Sequence, residues 1–171
     1  SQLKYQGTGT QKVENTLKAI FPGVRTIRMD ADTTRHKGSH DQLIRSFKSG
    51  KADILIGTQM IAKGLHFPEV TLVGVLNSDS SLNIPDFRST EYTFQLLVQV
   101  AGRSGRGALS GEVLIQTYTP QHPIIELAAK QNYEAFFEEE VGNRELFDYP
   151  PYSKIVRFLM RGPCPKLVYH H

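Results

Sequence analysis

The sequence has no tryptophan and a single cysteine, Cys164, among 171 residues. One cysteine can neither close an internal disulfide nor assemble a thiolate zinc site, which excludes a disulfide-stapled scaffold and a zinc knuckle within this stretch. A reducing, cytoplasmic setting is the expectation. Long hydrophobic runs are missing too. The longest, Val70–Leu76, is far short of the roughly 20 residues a membrane helix needs, so no bilayer span and no membrane partner are expected. Ser1–Thr10 is polar and rich in glycine and threonine, which does not read as a secretory signal. Neither repeats nor low-complexity segments are visible. Nor is there a large excess of one charge: twenty Lys and Arg against seventeen Asp and Glu leave +3, a weak argument for a polyanionic partner by itself.

What is present is an ordinary globular composition, 39% hydrophobic and 22% charged, at a length that fits one domain or a little more. The charge is unevenly spread. Residues 1–51 carry ten basic and four acidic side chains, whereas 134–148 carry one basic (Arg144) and six acidic ones. Two readings fit this asymmetry: solvated helix faces of opposite sign, or a nucleic-acid surface near the N-terminus.

Short β-branched and aliphatic runs alternate with longer amphipathic ones. Arg25–Met29, Asp53–Gly57, Val70–Asn77 and Glu112–Tyr118 read as strands, the second and third apolar enough to be buried on both faces. Val13, Leu17, Ile20 and Phe21 fall at helical spacing before Pro22-Gly23, and Leu43, Ile44 and Phe47 do so before Gly50. Tyr92–Val100 reads as a helix whose start is capped by Ser89 and Glu91. This β-α-β-α order predicts an α/β fold with a parallel sheet and helices on both sides, because parallel neighbours need crossover connections. After Pro120 come two further helices, Ile124–Gln131 and the acidic Tyr133–Leu146. Ile155–Met160 reads as a strand with nothing obvious left to pair it. A boundary is therefore expected at Asp148, with 1–148 as one domain plus trailing helices and 149–171 as the start of a following domain. Pro165–His171 fits no pattern, and His170-His171 is compatible with an added tail.

Ligands collect at the carboxyl ends of parallel strands, which directs attention to three loops. Gly7-Thr8-Gly9-Thr10 precedes a helix and offers amides and hydroxyls to a phosphate, although a plain strand-to-helix turn has the same pattern. Gly57-Thr58-Gln59 ends a buried strand with a hydroxyl placed to donate to an anion. Gln99-Val100-Ala101-Gly102-Arg103-Ser104-Gly105-Arg106 sets two arginines three residues apart between glycines, right after an amphipathic helix. Guanidinium forks match phosphate oxygens, and flanking glycines let the backbone approach a ligand.

That eight-residue string resembles motif VI of superfamily 2 helicases, and Ile54–Leu76, with Ala62-Lys63-Gly64-Leu65-His66-Phe67-Pro68 at its centre, resembles motif V. Met29-Asp30-Ala31-Asp32-Thr33-Thr34, Gly57-Thr58-Gln59-Met60 and Pro85-Asp86-Phe87-Arg88-Ser89 narrow the resemblance to the PriA-type family, also called primosomal protein N′, of DNA helicases. It runs from about Gly7 to about Arg161. His66 stands where many superfamily 2 proteins have an acidic residue, and Ser104 where alanine is common. The PriA-type proteins resemble this chain in using His there, so a catalytic His66 and a packing or hydrogen-bonding one both remain open.

The resemblance implies a RecA-like parallel sheet sandwiched by helices, the second motor lobe of an ATP-dependent 3′ to 5′ helicase of bacterial replication restart. It implies Arg103 and Arg106 as arginine fingers, Gln99 setting their contact, and Gly64 letting motif V turn beside the nucleotide. Thr8, Gly9, Thr10, Thr58 and Gln59 would face single-stranded DNA. The implied partners are single-stranded and forked DNA, the first helicase lobe, primosome proteins and single-strand-binding proteins. The sequence contains no G-x-x-x-x-G-K-[ST]: Gly50-Lys51-Ala52 lacks both the leading glycine and the hydroxyl. No apolar strand ends in Asp-Glu. ATP and magnesium are therefore expected mainly on the first lobe, zinc in the family's upstream segment, no metal site in this stretch, and no ATPase activity from this stretch alone. Two other readings stay open: the lobe of another superfamily 2 DNA or RNA translocase, or a non-catalytic interaction module with this fold. Upstream cysteines would separate the first, and an upstream Walker A lysine the second.

Overall fold

A computed structural model describes residues 9–36, 38–61, 67–102 and 111–158. The chain divides into two compact units, 1–132 and 133–171.

In the first unit the chain enters through helix α1 (Thr10–Ile20), whose polar sequence buries no residue. Phe21, Pro22 and Gly23, the last at φ +88°, end it. Strand β1 (Thr26–Met29) follows, then α2 (Ser39–Lys48) and β2 (Ile54–Gly57). Asp41 in the first turn of α2 and Arg45 and Lys48 in the last oppose its macrodipole, and Ile44 is the side chain it buries. The crossover through α2 makes β1 and β2 parallel neighbours, in register from Thr26 opposite Ile54 to Met29 opposite Gly57. Arg25 clasps the start of both strands: its Nε lies 3.1 Å from Asp53 Oδ2 and its Nη1 2.8 Å from the Gly50 carbonyl. The guanidinium holds the Asp53 carboxyl down to about 2.

The second half of the unit repeats the plan. Strand β3 (Leu72–Val75) leads through a short α3 (Asp79–Leu82) and a long α4 (Ser89–Ala101) to β4 (Glu112–Ile115), parallel to β3 with Leu72 opposite Glu112. Helix α5 (Pro123–Ala129) has proline at its first turn and His122 Nδ1 accepting from the Ile124 amide. Ser89, Thr93, Phe94, Leu97 and Val100 bury one face of α4, and Ile124, Ile125 and Ala128 the matching face of α5; the two helices pack together. Among the described residues the ladders form two parallel pairs, β1–β2 and β3–β4, rather than one continuous sheet.

Three expectations need correction. Strand β3 is not buried on both faces: Leu72 is 55% exposed and Leu76 beyond it 52%, because only the Val73 and Val75 side of the β3–β4 pair is covered. Ser89 does not cap α4 from outside. It is the first helical residue, preceded by Arg88 with no side-chain cap, and the turn before it closes through Asp86, whose carboxylate accepts the Arg88 amide at 2.9 Å and whose carbonyl accepts that of Ser89 at 3.0 Å. Ile155–Phe158 is irregular and largely exposed, not a strand; without a ladder partner an extended run leaves its amides to water. Leu159 and Met160 lie outside the described residues.

In the second unit, α6 (Tyr133–Leu146) buries Phe136 and carries an Arg144–Glu140 pair at 2.8 Å. Arg144 also donates to the Pro150 carbonyl at 3.3 Å, and Pro150-Pro151 is cis.

Candidate nucleic-acid and nucleotide site

The site begins where β1 and β2 end. Met29 lies opposite Gly57, so the next residues, Asp30 and Thr58, leave the pair side by side at its carboxyl edge. Gly57 is needed there: a Cβ on it would sit 2.5 Å from the Met29 carbonyl oxygen and 2.9 Å from the Ile61 side chain. The chain then tightens into a 3₁₀ turn, Gln59–Ile61, with the Thr58 carbonyl accepting the Ile61 amide. Thr58 and Gln59 are exposed, and the Thr58 hydroxyl has no partner among the described residues.

Helix α1 brings a third element to this edge. Its N-terminus, Gly9 and Thr10, has no side-chain cap, and the Thr10 hydroxyl donates to Asp30 Oδ2 at 2.5 Å. Asp30 Oδ1 accepts the amides of Asp32 and Thr33 at 3.1 and 3.0 Å. Arg28 Nε lies 2.9 Å from Asp30 Oδ2 yet its N–H has no aligned acceptor, so that contact is coulombic rather than directional. The Thr10 hydroxyl, against the opposing effect of burial and helped by the Thr33 amide and Arg28, holds the Asp30 carboxyl below the usual range. Glu14 extends the network: it takes Lys18 at 2.8 Å, the Thr26 hydroxyl at 2.8 Å and Arg28 at 3.7 Å. Lys18 and Thr26, in that order of effect, push its carboxyl down.

The sequence reading named Gly9, Thr10, Thr58 and Gln59, and the fold gathers them at one edge. It missed Asp30 as a group of its own, although Asp followed at three residues by Thr33 is a turn signal. Of the groups implied to meet ATP, Gln99 is described: it is exposed on the last turn of α4, opposite the buried face, with no partner among the described residues. Thr8, Gly64, His66, Arg103 and Arg106 lie outside the described residues. Among the described residues no three His, Cys, Asp or Glu converge as a metal-ligating set. None of the described helices is long and apolar enough to cross a membrane.

The β3–β4 end is closed by a clasp. Burial pushes the Asp79 carboxyl up, but the Thr117 hydroxyl, the Tyr118 amide and the Thr119 hydroxyl hold it below the usual range; they donate at 2.8, 3.1 and 2.9 Å. At the start of α4, Arg88 grips Asp86 with Nε and Nη2, at 3.0 and 2.9 Å. It also lies over the rings of Phe87 and Tyr92, so the Pro85–Ser89 segment is a locked turn.

Known proteins share this chain's pattern. The family described as helicase conserved C-terminal domain matches residues 6–108. A curated relative from Chlamydia pneumoniae, called replication restart protein PriA, is 57% identical over 164 residues, 96% of this chain and 22% of that protein. The protein of the same name from Bacillus subtilis is 57% identical over 88% of this chain and 19% of its own length, and that from Treponema pallidum 43% identical over 93% and 24%. The chain thus spans about a fifth to a quarter of the length of these relatives.

Proposed function

This chain belongs to the helicase conserved C-terminal domain family, and on that premise we propose that it is the second motor lobe of an ATP-dependent 3′ to 5′ DNA helicase of replication restart. The observation that carries the reading is the 57% identity to replication restart proteins over nearly the whole chain. It is supported by the exposed Thr58 hydroxyl and the uncapped α1 N-terminus meeting at one strand edge.

In this reading Thr58, Gln59, Thr8 and the amides at Gly9 and Thr10 hold phosphates of single-stranded DNA. Such contacts carry no base information, which suits an enzyme that moves along any sequence. Gln99, on α4 packed against α5, and Arg103 and Arg106 act on the nucleotide held by the first lobe. There the two guanidinium groups neutralise charge that develops only as phosphate is transferred. Hydrolysis of ATP, which would be bound with magnesium mainly by the first lobe, supplies the free energy. Forked DNA, primosome proteins and single-strand-binding proteins are the partners of the full-length protein, in the bacterial cytoplasm.

The test is ATP turnover by the full-length protein. Arg103→Ala or Arg106→Ala lowers it by roughly 10³ to 10⁵ while nucleotide binding persists; near-normal turnover in both variants refutes the finger assignment. Residues 1–171 alone hydrolyse no ATP, and measurable hydrolysis by a clean preparation sinks the half-motor reading.

A further inference from the structure

Asp30 is 8% exposed, and every one of its polar atoms is engaged. Its amide donates to Thr33 Oγ1 at 2.9 Å and its carbonyl accepts the Thr34 hydroxyl at 2.6 Å. One carboxylate oxygen takes two turn amides; the other takes the Thr10 hydroxyl and faces Arg28. A carboxylate that accepts three hydrogen bonds and faces a guanidinium is already compensated without a ligand, and its charge repels a phosphate. It nevertheless stands beside Thr58, at the edge read above as the strand-binding site. The Thr10 hydroxyl, with one proton to give, spends it on Asp30 and has none for a phosphate.

We propose that Asp30 and Thr10 form a positioning pair: Asp30 ties the N-terminus of α1 to the exit of β1 and so sets the Gly9 and Thr10 amides in line with Thr58, without touching the nucleic acid. The inference rests on the nucleic-acid reading and changes one part of it, since Thr10 contributes its backbone while its side chain is a strut. Helix α1 fully buries no residue, and its apolar Val13 and Leu17 are only half-buried and lie beyond its first turn, so Thr10 is the side chain that ties its N-terminus to β1.

The sign of one effect separates this from ordinary electrostatics. Removing a negative charge beside bound phosphates tightens binding if the charge merely repels them. A positioning carboxylate predicts the reverse. In the full-length protein, affinity for a thymidylate oligonucleotide is measured by anisotropy across about 50 to 200 mM salt. Asp30→Ala and Thr10→Val each weaken binding by about tenfold, the double variant is no weaker than either single one, and Thr10→Ser restores the wild-type value. The slope of log affinity against log salt is unchanged, because no cation–phosphate contact is lost. Thr58→Ala weakens binding additively with Thr10→Val.

Tighter or unaltered binding by both Asp30→Ala and Thr10→Val overturns the proposal, as does full additivity between them. If Asp30→Ala does not fold, the Thr10→Val and Thr10→Ser pair decides alone: unaltered binding by Thr10→Val, or no recovery with serine, rejects the strut. Should Thr58→Ala weaken binding while the Thr10 and Asp30 variants do not, only the positioning pair is lost. If the wild-type protein does not bind the oligonucleotide, the nucleic-acid reading falls and this inference with it.

Discussion

Helices α1 and α4 are of similar length, 11 and 13 residues, and are held in opposite ways. α4 buries five side chains and packs on α5. α1 buries none, and Ile20 at its end is 60% exposed. Its apolar Val13 and Leu17 are only half-buried, and its polar ties to β1 run through Thr10, Glu14, Lys18, Thr26, Arg28 and Asp30. The contrast assigns different physics to the two ends of the proposed motor lobe. The helix leading into the arginine loop is fixed by apolar burial, which neither salt nor mild acid weakens much. The helix at the candidate strand site is fixed by a part-buried charge network, whose strength depends on both.

The strongest way to break the comparison is to attack the apolar side. Leu97 is 1% exposed, and Leu97→Ala costs about 2–5 kcal/mol through lost burial and the cavity left behind, read as a lowered denaturation midpoint with an unchanged slope. A loss under about 1 kcal/mol would show that α4 is not the anchored helix.

Next is the close approach at the other end. Gly57→Ala places a methyl group against the Met29 carbonyl and Ile61 and costs about 1–3 kcal/mol of overpacking. The same melts check it, and wild-type stability would mean that β1 and the turn after β2 part freely.

Acid sharpens the contrast further. The Glu14 and Asp30 carboxyls lie below their ordinary values in the folded chain. The stabilisation they bring is complete above the unfolded carboxylate range, near pH 4, and is lost as pH falls through their lower folded values. Amide exchange followed downward from about pH 5 should show α1 losing protection before α4; simultaneous loss would mean that α1 is not held by its carboxylates. The Asp79 clasp is acid-sensitive too, and so is Arg25–Asp53, lost between the ordinary range and about 2. That ion pair is half exposed, so it weighs less.

The smallest effect is that of salt. Raising ionic strength to about 1 M shortens the screening length to about 3 Å. That should lower α1 protection by a few-fold and leave α4 unchanged, as read by amide exchange at constant pH. Equal behaviour of the two helices would show that the α1 network is worth no more than a surface ion pair.

Much of the architecture was legible in the residues because it is local. Leu43, Ile44 and Phe47 at helical spacing, closed by Gly50, mark α2; the aliphatic runs within 54–57 and 72–75 mark strands; the helix read over Ile124–Gln131 lies within two residues of α5 at both ends. Helix α3, four residues long, was missed because so short a turn has no periodicity to detect. The exposed face of β3 was misjudged for a related reason. An aliphatic run establishes that a residue prefers burial, while the elements that cover it come from elsewhere in the chain.

The sequence by itself determined the order of strands and helices, the parallel pairing that their alternation requires, and the two motif strings that place the chain among helicase lobes. Tertiary structure alone decided which polar groups meet. Thr10 and Asp30 are twenty residues apart in sequence, Asp79 and Thr117 thirty-eight, and no spacing rule links them. Periodicity is a property of neighbours along the chain, whereas the partner of a buried carboxylate is set by how the elements stack. That is why Thr10 reads as a phosphate ligand in the sequence and stands as a strut in the fold.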